Sequence, residues 1–417
     1  MRKRSARVRA LVLATVVATL VTGIAAGSSS AGAARSVRGF DGSTITVAGF
    51  GIKSQLPTAE SGAQARIKRF NDTNEIKGVK INYAEFADDK QDPATALTEA
   101  RRLVTQTQVF AIVGDVSQFN PKDYFTQQHV PYFGWGFDDT YCSHNPSTSV
   151  WGFAYSGCGV PSDPSYLGDS ARAIYQYAKQ KTGKAHPTAA LIGNDTTSSK
   201  NAAKFSQITW SGIGFDVVGN FTQMPIPPIA DYTPYAQAAL TADNGKAPDV
   251  IACLLATDCI PLYGLMQANN YPGIFMSSLY TNLLVGSMKG STVNTAFVNP
   301  TTATSGMNQM KQDLDAWKAG EGDKVDSGTI AGYTSTDMFI QALKTVAKKG
   351  KSKITPEAVQ AAAARQTWEL KGVAGPTQYP KATVNTYPTC NSLFLSDGTS
   401  WNTVVDYGCS TKTYKVK

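Results

Sequence analysis

Apolar residues in this chain come in short bursts separated by longer amphipathic stretches. Residues 45–50 form an apolar-rich burst that stops at Gly51, the pattern of a buried strand. Residues 59–70 change to helical spacing, and Asn71-Asp72 closes that helix. A second strand is predicted over 79–86, where Val79, Ile81, Tyr83 and Ala84 mix with polar positions. Residues 110–113, ending at Gly114, and 131–134 are two further strands. This β-α-β-α rhythm is that of a parallel sheet covered by helices.

The rhythm restarts near Pro187. Strands are expected at 188–192, 215–220, 250–255 and 273–278, and helices at 200–210, 234–241 and 261–270. Residues 141–169 lie between the two α/β halves and are rich in Gly, Pro, Ser and aromatics, as befits a hinge. Helices return at 306–318, 333–348 and 355–366, and the tail at 388–409 has the pattern of two strands around Asp397-Gly398.

Asp88, Asp89 and Asp92 crowd one junction and invite a metal or acid–base reading. Asp92 precedes Pro93, and proline is favoured at the first helical position, where its missing N–H costs nothing. Asp92 is then placed to accept from the first helical N–H groups. Leu97, Ala100 and Val104 fall on one face of the helix that follows, with Leu103 beside them. The junction is therefore expected to end a strand and cap a helix.

The N-terminus adds a context. Arg2, Lys3, Arg4, Arg7 and Arg9 precede an uncharged apolar run over 10–27, and small residues close at Ala33-Ala34. This is the pattern of a secretory signal peptide over 1–34, with an uncleaved anchor as the alternative. No cysteine stands near the cleavage point for lipid attachment. Removing the leader takes five cationic residues and no acidic one, so the formal charge falls from +8 to +3. That balance, with no arginine-rich or basic–aromatic stripe, argues against nucleic acid as a partner. The 383 residues left suit two domains. The six cysteines of an exported chain are expected to be oxidised, in the sequence-local pairs Cys142–Cys158, Cys253–Cys259 and Cys390–Cys409.

Motifs for chemistry are few. Gly49-Phe50-Gly51 follows the first strand, but Ser54 stands where a dinucleotide fingerprint needs its third glycine. The chain has no GxxxxGK[ST], no GxSxG and no HExxH. No cofactor, metal or catalytic residue is therefore assigned, and an enzyme is not expected. More informative are aromatics placed just past strand ends: Phe119, Trp135, Phe137, Tyr141, Tyr155 and Tyr280. Ligands of open α/β sheets sit beyond the carboxyl ends of the strands, so such a set is expected to line a cleft.

The segment Ala87-Asp88-Asp89-Lys90-Gln91-Asp92-Pro93 with its Ala-rich helix resembles a signature of the branched-chain amino-acid-binding group of ABC-transporter solute-binding proteins. Ala111-Ile112-Val113-Gly114, Val130-Pro131-Tyr132-Phe133, Asp231-Tyr232-Thr233, Gly332-Tyr333 and Gly375-Pro376 resemble that group's later motifs, in order. The resemblance implies the type I periplasmic-binding-protein fold: two Rossmann-like lobes, each a parallel sheet flanked by helices, joined by a three-crossing hinge. It places lobe one at 40–157 plus 303–378 and lobe two at 158–302 plus 379–417. It further implies a monomer, held in the periplasm, cell envelope or outside the cell, that captures a small-molecule solute for an ABC permease. From lobe one the expected ligand contacts are Ser117, Gln118, Phe119, Trp135, Phe137 and Asp138, with Tyr155 from the crossing region. From lobe two they are Asp195 to Ser198, Thr197 among them, then Ala256 to Asp258, including Thr257, and Tyr280. Amino-acid binders of the group carry Gly-Ala-Thr where this chain has Gly134-Trp135-Gly136-Phe137-Asp138. Large aromatics there imply a solute bigger or more apolar than a simple amino acid. A ligand sensor on the same fold, and a secreted hydrolase using Asp88 or Asp89, are the competing readings.

Overall fold

The structure is a computed structural model that describes residues 37–136, 138–142, 151–159, 165–226, 228–255, 257–378 and 389–416. The expected signal peptide and Phe137 lie outside the described residues. The first sheet is formed by β1 (Thr44–Gly51), β2 (Lys80–Asp88), β3 (Ala111–Val116), β4 (Tyr132–Gly134) and β5 (Gly152–Ala154). They lie in the order β2-β1-β3-β4-β5, all parallel. Between them run α1 (Ala59–Asp72), α2 (Pro93–Thr105) and the short α3 (Lys122–Gln127). β3 is buried at every position, as a central parallel strand covered on both faces must be.

Next come β6 (Tyr166–Gly168), α4 (Arg172–Thr182), β7 (Thr188–Asn194), α5 (Thr197–Ile213), β8 (Asp216–Met224), α6 (Thr233–Leu240), β9 (Val250–Cys253), α7 (Cys259–Ala268), β10 (Ile274–Ser277) and β11 (Thr292–Thr295). Parallel strands β8-β7-β9-β10-β11 repeat the topology of the first sheet. The chain then returns to the first sheet through α8 (Ser305–Trp317), α9 (Ser327–Ala347) and α10 (Pro356–Ala363), with the hairpin β12 (Thr367–Leu370) and β13 (Ala374–Gln378). It finishes with β14 (Thr389–Ser396) and β15 (Trp401–Ser410), antiparallel on the edge of the second sheet, and β16 (Thr413–Lys415), paired with β6. The polypeptide thus passes between the two sheets three times.

Residues 141–169, read from sequence as a hinge alone, also supply the edge strand β5 of the first sheet. Phe153 stacks on Phe133 with centroids 5.3 Å apart, and Trp151 stacks on His129 at 5.1 Å. Burial of these rings draws the segment onto the sheet. The three disulfides join the expected cysteines: Cys142–Cys158, Cys253–Cys259 and Cys390–Cys409.

Helix α9 covers the first sheet and crosses α1 at a glycine from each helix. A β-carbon on Gly62 would collide with the carbonyl oxygen of Thr329, and one on Gly332 with that of Ala59. Close approach is then secured by charge and hydrogen bonds. Arg66 donates from Nε to Asp337 at 2.8 Å and from Nη1 to Glu75 at 2.7 Å, and Trp368 donates to Asp337 at 3.1 Å. Lys344 completes the group at 2.9 Å from Glu75. Arg66 and Asp337 are buried as a pair, with the part-buried Glu75 and the half-exposed Lys344 at its edge, which avoids the cost of a lone ion.

Candidate ligand-binding cleft

In each sheet the strand order reverses beside its first strand, so neighbouring connections leave in opposite directions and open a crevice at the carboxyl ends. The two crevices face one cavity of about 120 Å³. Gln55 follows β1, Gln118 follows β3, Trp135 follows β4 and Tyr155 follows β5. Across from them, Asn194 ends β7, Leu254, Leu255 and Asp258 follow β9, Ser278 follows β10, and Asn294 and Thr295 end β11.

The loop geometry explains how the first wall is held. Gly51 has φ of +128°, and a side chain there would run into the backbone of Val116 and Ser117. That close approach sets the β3 loop beside Asp89. Asp89, fully buried, accepts from Ser117 Oγ at 2.5 Å and from the Gln91 N–H at 2.9 Å. Ser117 Oγ in turn accepts the Phe119 N–H at 2.9 Å, and its carbonyl receives the Trp135 indole N–H at 3.2 Å. Trp135 is thereby held by its polar edge while its ring faces the cavity.

The opposite wall is set by helix caps. Thr196 caps α5, its hydroxyl accepting from Ser199 N–H at 3.1 Å, and Asn194 Oδ1 accepts the Thr196 hydroxyl at 2.7 Å. Ser278 donates to the Leu255 carbonyl at 2.8 Å. Asp258 accepts the Tyr232 hydroxyl at 2.6 Å, and burial raises its pKa above the ordinary aspartate range.

Several expected contacts fall elsewhere. Gln118, Trp135 and Tyr155 line the cavity. Phe119 and Thr197 line a wider recess of about 610 Å³ on the outer side, which shares Gln118, Thr196 and Ser198 with the cavity. Ser117 is not on the lining: its hydroxyl and carbonyl are taken up by Asp89 and Trp135 of the neighbouring loops. Asp138 is also inward: it caps the turn at Thr140, accepting that N–H at 2.7 Å, and accepts from Asn120 Nδ2 at 3.0 Å. Asp195 faces solvent and pairs with Lys200. Thr257 stands in the β9–α7 turn, off the lining. Tyr280 is fully buried among Phe297, Phe394 and Trp401, with centroids 5.7 to 6.0 Å away. The β2–α2 junction does what its sequence indicates: Asp92 accepts the Thr95 N–H at 2.7 Å and caps α2.

Gln55, Gln91, Asn194, Ser278 and Asn294 were not legible as contacts. Each sits at or just past a strand end, and that position was the one available signal. The side-chain oxygens of Gln55 and Asn294 are buried without a hydrogen-bond partner. Among the described residues lining the cavity there is no Lys, Arg or His, and Asp258 is the one acid.

A family model described as periplasmic binding protein matches residues 14–387. The chain belongs to that family, and its fold is the type I periplasmic-binding-protein fold. No curated protein matches the sequence. Among solved structures it is similar to an ABC-transporter substrate-binding protein from Aeropyrum pernix, with 16% identity over 88% of this chain and 97% of that one and a TM-score of 0.70. An ABC-transporter solute-binding protein from R. palustris in complex with 4-hydroxybenzoate shares 17% identity over 88% and 98%, at a TM-score of 0.67. A fatty acid ABC transporter substrate-binding protein from Thermomonospora curvata shares 14% over 90% and 94%, at 0.69.

Proposed function

We propose that this is an exported solute-binding protein that captures a small molecule between two lobes and delivers it to an ABC permease. The carrying observation is a cavity faced by the strand ends of both sheets, with amides, hydroxyls and the aromatic rings of Trp135, Tyr155 and Phe297 on its walls. Such a site holds a guest by contact from both sides. Among the described residues that line it, none is arranged as a nucleophile with a base, and we read it as a binder that does no catalysis and takes no cofactor. The lobes are read as 40–157 plus 303–378 and 158–302 plus 379–417, with a leader over 1–34 removed on export and a monomeric mature chain.

Trp135 and Tyr155 favour a solute larger or more apolar than a simple amino acid, since rings add contact area that a zwitterion cannot use. Proteins of this fold are solved with 4-hydroxybenzoate and with valine bound, so its cleft admits both kinds of guest. A thermal-shift screen of the purified mature chain over amino acids, aromatic acids, sterols and sugars tests this reading. Stabilisation by a non-amino-acid member, with the compound recovered unchanged, supports it. Conversion of the compound to product would replace it with an enzyme.

A further inference from the structure

The cleft does not end at the cavity described above. A second cavity of about 240 Å³ adjoins it, and the two share Ser156, Ala202, Leu254, Ser278 and Asn294 on their walls. The second is floored by Leu167, Phe205, Trp210 and Met276. Helix α5 runs along both. Ser198 and Ser199 face the first cavity, Ala202 faces both, and Phe205, Ser206 and Thr209 face the second. These positions recur at three and four residues, so they form one continuous stripe. From Ser198 to Thr209 the stripe is about 16 Å long, at ~1.5 Å per residue. A single benzene ring occupies a cavity of roughly 150 Å³. The first cavity therefore takes about one ring, and the second leaves room for a further apolar body.

Charge narrows the chemistry. Among the described residues, neither cavity is lined by a Lys, Arg or His. A guest carboxylate would have no cation to meet and would share the site with Asp258. The first turn of α5 offers backbone N–H groups, but Thr196 already caps it from within.

We propose, building on the solute-binding reading, that the cleft takes an elongated, uncharged solute that lays an apolar body along α5 from the first cavity into the second. Calorimetry at pH 7 on the purified mature chain tests this with four probes: hydroquinone, 4,4′-biphenol, 4′-hydroxybiphenyl-4-carboxylate and leucine. Burying the second ring should make 4,4′-biphenol bind at least about ten-fold tighter than hydroquinone, and the carboxylate should lose at least about ten-fold against 4,4′-biphenol. Ser206→Phe, which fills the second cavity from a half-buried position, should bring the ratio of 4,4′-biphenol to hydroquinone affinity towards one. Asp258→Asn should narrow the gap between the neutral and carboxylate probes. Equal affinity for the one-ring and two-ring probes, or a ratio that survives Ser206→Phe, overturns the second cavity as a subsite. Tighter binding of the carboxylate or of leucine overturns the uncharged solute while leaving the solute-binding reading intact. Silence from all four overturns this inference, and the solute-binding reading then stands or falls on its own thermal-shift screen.

Discussion

At the scale of single residues, the first wall of the cleft is built over carboxylic acids. Asp89, Asp115 and Asp138 are buried beneath the loops that present Gln118 and Trp135. Burial raises all three pKa values, and Asp138 is pushed up to about 6. The folded protein then holds these protons to higher pH than the unfolded chain, where aspartate titrates near 3.9. The stabilising contribution of Asp138 is complete below about pH 4 and is lost as pH rises through its folded value of about 6, and those of Asp89 and Asp115 are lost in the same direction. The melting midpoint should therefore rise as pH falls from 7 to 5. Asp115 gives the cleanest variant, because its complete burial outweighs the hydrogen bonds it accepts from Tyr141 and from the Ser117 N–H at 2.9 Å. Asp115→Asn should melt higher than the parent at pH 7 and show a flatter midpoint-against-pH curve in scanning calorimetry. A lower midpoint at pH 7 would mean that the ionised form is the stabilising one. Trp135, 5% exposed with its indole N–H held, lines the cavity. Trp135→Ala should weaken solute binding by roughly 1–3 kcal/mol, the value of a buried side chain. Unchanged affinity by calorimetry would remove it from the site.

At the scale of elements, the α1–α9 crossing ties the returning chain to the first sheet. The Ser335 hydroxyl on α9 accepts the Gly114 N–H at 3.1 Å, so the helix also supports β3. Gly332→Ala would force a methyl into the Ala59 carbonyl and should cost about 1–3 kcal/mol as an overpacked core does. Urea denaturation reads this directly, and a loss under about 0.5 kcal/mol would show that the helices separate freely. The same region shows what was legible in the chain. The long alternating halves were plain, because strand bursts and helical spacing differ in period. The α8 helix, expected over 306–318, is Ser305–Trp317. The start of α9 was set at Tyr333 rather than Ser327, because Gly328 and Gly332 break the helical signal while their function is to admit α1. β5 and β11, of three and four residues, are too short to carry a period and gain their identity from neighbouring strands. The site was legible only in part for the same reason. Trp135 stands out by composition, whereas Gln55 and Asn294 become contacts only once the order of both sheets places their strand ends at one cavity.

At the scale of the whole molecule, the parallel strands of the two sheets repeat one topology and face each other across the cavity, and the chain passes between the sheets three times. The connecting segments are themselves hydrogen-bonded. Thr377 donates to the Tyr155 carbonyl at 2.5 Å, Gly375 N–H donates to Tyr407 at 2.9 Å, and the Ser327 N–H donates to the Tyr280 carbonyl at 2.9 Å. Closure of two such halves is a hinge motion absorbed by a few residues of the connections. A solute shifts such an equilibrium only by the difference in its affinity for the two arrangements. In the proposed function that difference comes from touching both walls of the cavity together, Gln118 and Trp135 on one side and Asn194 and Ser278 on the other. Titrating solute into the mature chain should therefore reduce the radius of gyration measured by small-angle scattering, saturating at the same occupancy as the calorimetric signal. Trp135→Ala should reach the same compact limit at higher solute concentration, because it weakens the grip without altering the hinge. Gln118→Ala should behave likewise. If binding saturates and the radius of gyration stays constant in the parent protein, the two halves do not close on the guest, and signalling to a permease through closure is lost with it.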